Sequence, residues 1–226
     1  MSPQSARRKS GRLRRCAALL CLLAAPARPE VIDRIAVIIG RYVITESALL
    51  RAIRVTAFLN GEEPDFSPAS RRLAAERLVD QTLIRREMET ARYALPDASE
   101  VAALAAEIRK ERFKTPEDFR RALERYRITE DDLHDALARQ LATLRFIELR
   151  FRPAVVVPEA ELRRYYETRM LPEWQNKSGT KPPPFEEVQA EIEQLLAGEQ
   201  ADRLLEEWLK QARSQTRIEF KAKAFE

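Results

Sequence analysis

The sequence predicts a mainly α-helical protein with short β-strands near both ends of its folded part. Charged residues make up 34% of the 226 residues, and only five residues are glycine. Many charges with few glycines suit long, solvated helices and argue against an active site built from loops. Polar helix-start signals recur along the chain, and strand-like patterns occur near residues 31–44 and 216–225. These observations together favour a helical body with a small β element.

The first folded segment has the pattern of a strand, a turn and a second strand. Residues 31–39 are rich in β-branched side chains, residues 40–41 interrupt them, and residues 42–44 resume the pattern. Thr45 is then a candidate N-cap for a helix that runs to about Leu59 and ends at Asn60-Gly61. We therefore expect a hairpin that leads directly into the first helix.

Four further helix starts carry a capping residue, at Ser67, Asp97, Thr115 and Thr129. The helix after Ser67 is expected to reach about Leu95, because Pro96 stops it. The helix after Thr129 is expected to bury one apolar stripe, formed by Leu133, Leu137, Leu141, Leu144, Ile147 and Phe151.

The C-terminal third alternates helix, loop, helix and strand. A short helix is predicted from Glu159 to about Met170, followed by a loop over residues 171–184, which contain most of the local prolines and Gly179. A long helix follows from Phe185 to about Arg213. Residues 216–225 alternate apolar and charged side chains, as a half-buried strand does.

The first 27 residues have the pattern of a cleaved secretory signal peptide. Six basic residues between positions 7 and 15 precede an apolar run over residues 16–25, and Ala25-Pro26-Ala27 is a small-residue cleavage site. The run is too short to span a bilayer, which takes about 20 residues. No apolar pair follows Arg7-Arg8, so the general secretory route is favoured over the twin-arginine route. We therefore expect an exported, periplasmic protein without stable membrane insertion.

Removal of this signal changes the charge and the cysteine content of the chain. Both cysteines, Cys16 and Cys21, leave with it, so the mature chain has no disulfide and no thiol nucleophile. Six positive charges also leave, and 34 basic residues remain against 36 acidic ones. The pI of 9.2 therefore belongs mostly to the signal. A nucleic-acid partner is accordingly not expected.

The chemical motifs of enzymes, metal sites and cofactor sites are not found in the sequence. His134 is the only histidine, and it follows Leu133 off the apolar stripe, as a surface residue would. The acidic clusters stand at predicted helix starts, where the helix dipole favours them. No phosphate-binding loop, dinucleotide-binding glycine motif, HExxH or CxxC pattern is present. The sequence thus predicts no catalytic residues, no metal and no cofactor.

Three segments, taken in order, resemble the SurA family of periplasmic chaperones. Residues 31–50 are VIDRIAVIIGRYVITESALL, residues 155–167 are VVVPEAELRRYYE, and residues 183–220 are PPFEEVQAEIEQLLAGEQADRLLEEWLKQARSQTRIEF. The resemblance implies a helical peptide-binding core over residues 28–226. In it, a C-terminal part (185–226) packs back on an N-terminal part (28–170), and the two parts' strands form the small β element.

The chain departs from the family where a parvulin isomerase domain would normally stand. Only residues 171–184 occupy that place, without the glycine-rich and histidine-containing segments of a parvulin. The resemblance therefore implies an ATP-independent holding chaperone for unfolded outer-membrane or secreted polypeptides, and not an enzyme. Two alternatives stay open: a peptidyl-prolyl isomerase by family analogy, and an envelope scaffold or assembly subunit with one specific partner. The oligomeric state is also open, with a dimer among the alternatives.

A holding chaperone needs an exposed apolar surface, and the aromatic side chains are the candidates for it. Phe113, Phe119, Tyr126 and Trp174 are the predicted peptide-binding residues. Trp174 stands out because it lies in the predicted loop, where core packing is least expected. Ordinary core packing is the competing interpretation for each of them.

Overall fold

A computed structural model describes residues 33–177 and 182–226 of the chain. In these residues helices build the body of the protein, and three short strands form one antiparallel sheet. The predicted fold class, mainly α with a small β element formed by N-terminal and C-terminal strands, is confirmed. The predicted signal peptide, with Cys16 and Cys21, lies outside the described residues.

The sheet joins the two ends of the folded part. Strand β1 (Ile35–Ile39) turns through Gly40 into β2 (Tyr42–Thr45), and β3 (Ile218–Phe220) pairs with the other edge of β1. Gly40 has φ +57°, a conformation that glycine adopts without strain. Its N–H donates to the Arg217 carbonyl at 2.9 Å. The sheet order is therefore β2-β1-β3, with the C-terminal strand beside the N-terminal one.

The helices begin where the capping signals predict. Thr45, Ser67, Asp97, Thr115 and Thr129 each accept a main-chain N–H from the first turn of the helix that follows. The helices are α1 (Glu46–Asn60), α2 (Pro68–Thr90), α3 (Ala98–Arg112), α4 (Pro116–Tyr126), α5 (Glu130–Arg150), α6 (Glu159–Tyr165), α7 (Leu171–Lys177) and α8 (Phe185–Ser214).

Helix α2 ends earlier than the sequence predicts. It stops at Thr90 rather than near Leu95, and Arg92 takes the left-handed conformation with φ 58°. The N–H of Tyr93 then donates to the Met88 carbonyl at 2.9 Å, which satisfies the helix end. The Tyr93 ring also packs edge-on against Phe146, with 6.2 Å between ring centroids. This tertiary contact, which no local signal reveals, accompanies the early stop.

The predicted loop over residues 171–184 is wrong in its first half. A π-helical turn, Tyr166–Met170, continues α6 into α7. The Tyr166 hydroxyl donates to the Pro183 carbonyl at 2.7 Å, and its ring lies 5.6 Å from that of Phe185. These contacts join this helical segment to the start of α8. Trp174 therefore stands in a helix and not in a loop.

The predicted stripe of α5 is confirmed except at Leu144. Leu133, Leu137 and Phe151 are buried, and Leu141 and Ile147 are half-buried and pack against core clusters. Leu144 is 52% exposed. Phe146, outside the predicted stripe, is fully buried and packs on the ring of Trp208 in α8, 4.8 Å away between centroids.

An arginine fastens the end of α8 to α2. The Nε of Arg213 donates to the Asp80 carboxylate at 2.7 Å, and the two terminal nitrogens donate to the carboxylate and the main-chain carbonyl of Glu76. The hydrogen bond to Asp80 raises the pKa of Arg213, so the side chain stays charged. The clamp fixes α8 just before the chain enters β3.

Candidate functional site

A cleft of about 520 Å³ opens between α1, α2, α3 and α5. Its volume falls within the range of about 300–1,000 Å³ that is usual for pockets that bind small ligands. The side chains that line it are aliphatic, polar and basic. This cleft, which four helices line together, is the candidate functional site.

The apolar lining consists of aliphatic side chains from all four helices. Val55 and Leu137 are the buried members of this lining. Leu59, Leu78, Leu104 and Ile108 are only half-buried, although each packs against a core cluster. Aliphatic side chains that keep part of their surface in an open cleft can gain free energy when another apolar surface covers them. The cleft can therefore bind apolar side chains of another molecule.

Helix α3 forms one wall of the cleft and is held at both of its ends. At the C-terminal end, Arg112 donates to the Leu59 carbonyl of α1 at 2.8 Å and lies over the Phe58 ring at 5.5 Å from its centroid. At the N-terminal end, Glu100 forms an ion pair with Arg145 of α5. These contacts fix the position of α3 relative to α1 and α5.

The charged side chains that line the cleft are all arginines: Arg77, Arg112 and Arg139. Among them, Arg139 of α5 is the most enclosed. Its Nε is buried and has no hydrogen-bond partner in the part of the chain that the structure describes. Burial lowers the pKa of Arg139; the neighbouring Asp135 opposes this effect, and Arg85 adds to it. A guanidinium with an ordinary pKa above about 12 stays charged nevertheless.

Three of the predicted peptide-binding residues lie together but not on the cleft. Phe113, Phe119 and Tyr126 surround the buried Phe58, with ring centroids 5.9, 6.3 and 5.6 Å from it. Phe119 is 4% exposed, and the other two are half-buried. None of the three is among the residues that line the cleft. Their packing is that of a core cluster, and their part in binding stays a prediction.

Trp174, the fourth predicted residue, lines a separate cavity of about 340 Å³. This cavity lies between α7 and α8 and includes Tyr165, Met170, Ile192 and Leu195. The indole Nε1 is buried and has no hydrogen-bond partner among the described residues. The structure thus divides the four candidates between an aromatic core cluster and a second apolar cavity.

Arg139 and the aliphatic lining of the cleft were not predicted from the sequence. One signal for Arg139 is present: it lies seven residues, about two helical turns, before Phe146 and therefore on the same helix face. An arginine on the face that carries a buried phenylalanine is expected to be partly enclosed. No comparable signal marks Leu104 or Ile108, because a half-buried leucine has the same pattern as a core leucine.

Other chemistry is not assembled in the described residues. No group of three or more His, Cys, Asp or Glu side chains is placed there to hold a metal ion. His134 lies half-buried on α5. Among the helices that the structure describes, none combines the length and apolar character that a bilayer span needs. The chain matches no protein-family model, and no curated protein matches it.

Proposed function

We propose that this protein is an ATP-independent holding chaperone that binds unfolded polypeptides in the cleft between α1, α2, α3 and α5. The observation that carries the proposal is the cleft's lining of half-buried aliphatic side chains. Apolar contacts accept many sequences, because they do not need a fixed set of polar partners. Reversible binding of this kind needs neither a nucleotide nor a cofactor.

The proposed clients are outer-membrane or secreted polypeptides, bound in the periplasm. The N-terminal signal pattern and the three-segment resemblance to the SurA family support this part of the proposal. Export is tested by the mass of the protein recovered from the periplasmic fraction of expressing cells. We expect a chain that lacks residues 1–27. A full-length chain recovered only from the cytoplasm would contradict the proposed location.

The binding function is tested by the aggregation of an unfolded outer-membrane protein after dilution from urea. We expect the purified protein to suppress aggregation at a few-fold molar excess. No suppression at several-fold excess would reject the chaperone proposal.

The role of the cleft is tested with a matched pair of leucine substitutions. Leu104→Gln changes a half-buried cleft residue, and Leu73→Gln changes a 54% exposed residue of α2 that lines none of the described cavities. Loss of one leucine contact of about 1.4 kcal/mol corresponds to about tenfold weaker binding of a client peptide. We therefore expect a tenfold loss for Leu104→Gln and no loss for Leu73→Gln. Equal affinities, with circular dichroism unchanged, would place the binding site elsewhere.

The two alternative functions predict different results. A peptidyl-prolyl isomerase would accelerate proline isomerisation in a peptide substrate, whereas we expect the background rate. An envelope scaffold would capture one partner at fixed stoichiometry in a pull-down from the periplasm, whereas a chaperone would capture many unrelated chains.

A further inference from the structure

Arg139 lies where three cavities adjoin. It lines the cleft, a smaller cavity of about 80 Å³ beside α1, and a third of about 220 Å³ beside Leu95 and Pro96. The cleft and the smaller cavity also share Val55 and Leu78. The Arg139 side chain thus lines the same cleft as several aliphatic side chains and is within reach of a molecule bound there.

The Nε–H of Arg139 is a donor without an acceptor. It is buried and has no hydrogen-bond partner among the described residues, and no ion pair of this side chain is formed there. A buried donor that is left unpaired is unfavourable, and an incoming acceptor relieves that cost. Carboxylates suit guanidinium best, because two parallel N–H···O bonds can form.

The charges around the three cavities also favour an anion. Five arginines line them, namely Arg51, Arg77, Arg85, Arg112 and Arg139, against two acidic residues, Asp132 and Asp135. Arg51 pairs with Asp132 at 3.5 Å, and Arg85 pairs with Glu89 at 2.9 Å. Arg77, Arg112 and Arg139 then remain against Asp135. The local excess of positive charge is complementary to an acidic group on the bound molecule.

We infer that the cleft selects polypeptide segments in which an acidic side chain is flanked by apolar ones, and that Arg139 binds the carboxylate. Leu78, Leu104 and Ile108 line the same cleft, are half-buried and would take the flanking apolar side chains. The inference rests on the proposed function, because it names which segments of an unfolded client the cleft prefers.

The test compares three fluorescent peptides by anisotropy. The first has a central glutamate between two pairs of leucines, serine flanks and an amidated C-terminus; the second has glutamine in place of the glutamate. The third has glutamine and a free C-terminal carboxylate. We expect the glutamate peptide to bind about tenfold more tightly than the glutamine peptide, as one charge-assisted contact provides. The third peptide is expected to bind like the second.

Two variants locate the preference. Arg139→Met keeps most of the side-chain volume and is expected to reduce the tenfold preference to about one. Arg203→Met changes an arginine of α8 that is 60% exposed and lines none of the three cavities, and it should keep the preference. Removal of an unpaired, enclosed charge should not lower the unfolding temperature, so the variant can be measured in its folded state.

The outcomes separate the two proposals. If no peptide binds, the cleft is not a peptide site, and the proposed function and this inference both fail. If the glutamate and glutamine peptides bind equally, or if Arg139→Met keeps the preference, only the inference fails. Tighter binding of the free C-terminus alone would also overturn it, because the carboxylate would then come from a chain end and not from a side chain.

Discussion

Replacement of Arg213 by methionine should weaken the attachment of α8 to α2. The substitution removes the hydrogen bonds to Asp80 and to both acceptors of Glu76. The Arg213 side chain is 30% exposed, and its partners are 28% and 29% exposed. Hydrogen bonds to charged groups contribute about 1.5–3 kcal/mol each when they are buried, and partial exposure reduces this. We therefore expect the free energy of unfolding to fall by about 2–3 kcal/mol in total.

Urea unfolding followed by circular dichroism measures this loss. For a chain of this size, with a denaturant slope of about 2 kcal/mol per molar urea, the midpoint should fall by about 1–1.5 M. The control is Arg203→Met, which removes an exposed ion pair with Glu199 at 3.9 Å. Such pairs contribute at most about 0.5 kcal/mol, so its midpoint should hardly move. Equal midpoints for the two variants would refute the clamp.

The effect of Arg213→Met should also depend on pH. Burial raises the pKa of Glu76, but hydrogen bonds from Arg213 and Arg72 outweigh it and hold the pKa below its ordinary value of 4.5. A carboxyl whose pKa is lower in the folded protein stabilises the fold above its unfolded pKa, and this contribution is lost as pH falls through the folded value. The difference between wild type and variant should therefore be full at neutral pH and shrink below pH 4.5. A constant difference across this range would show that Glu76 is not a partner.

Two further pairs of substitutions, each a test and a control, examine the packing and the helix ends. Phe146→Ala should lower the free energy of unfolding by about 3–5 kcal/mol and alter the fluorescence of Trp208, because a fully buried ring is removed. Leu144→Ala, at a 52% exposed site, should hardly change the free energy of unfolding. Gly61→Ala should lower the free energy of unfolding by about 1 kcal/mol, because Gly61 ends α1 at φ +74°. Gly198→Ala, inside α8, should raise the free energy of unfolding by about 0.5–1 kcal/mol. Urea midpoints decide both pairs, and a stabilising Gly61→Ala would contradict the assigned backbone strain.

The helix starts could be predicted because their causes are local. Thr45, Asp97 and Thr129 cap helices through hydrogen bonds that span two or three residues, and such spacing is visible in the sequence. Helix ends were less predictable. Arg92 and Arg127 both end helices in the left-handed conformation, where glycine or asparagine would have been the recognisable signal.

The edge of the buried face of α5 could not be predicted, because distant contacts select it. Leucine at position 144 fits an apolar stripe as well as phenylalanine at 146 does. Phe146 is the buried one, and it packs on Trp208, a residue far away in the sequence. Arg139 was not predicted to be enclosed, because the residues that adjoin it come from other helices.

The residues of the candidate site could not be predicted from the sequence either. The sequence directs attention to aromatic residues, yet three of them pack around Phe58. The cleft is instead lined by aliphatic residues of four helices, and only their relative placement shows which keep exposed surface. A pattern of apolar residues gives the helix face but not what covers it.

The pairing of β3 with β1 has a consequence for the order in which the chain folds. The core cluster beneath the sheet contains both Ala36 and Ala224, so it closes only when these two distant segments meet. The cluster around Phe58 needs only residues 55–141 and can form before that contact. Contacts between distant segments also form slowly. We expect hydrogen exchange during refolding to protect α4 and α5 before β1; the opposite order would contradict this. Until β3 arrives, the edge of β1 that it covers has no strand partner, so this edge is the part of the sheet that is completed last.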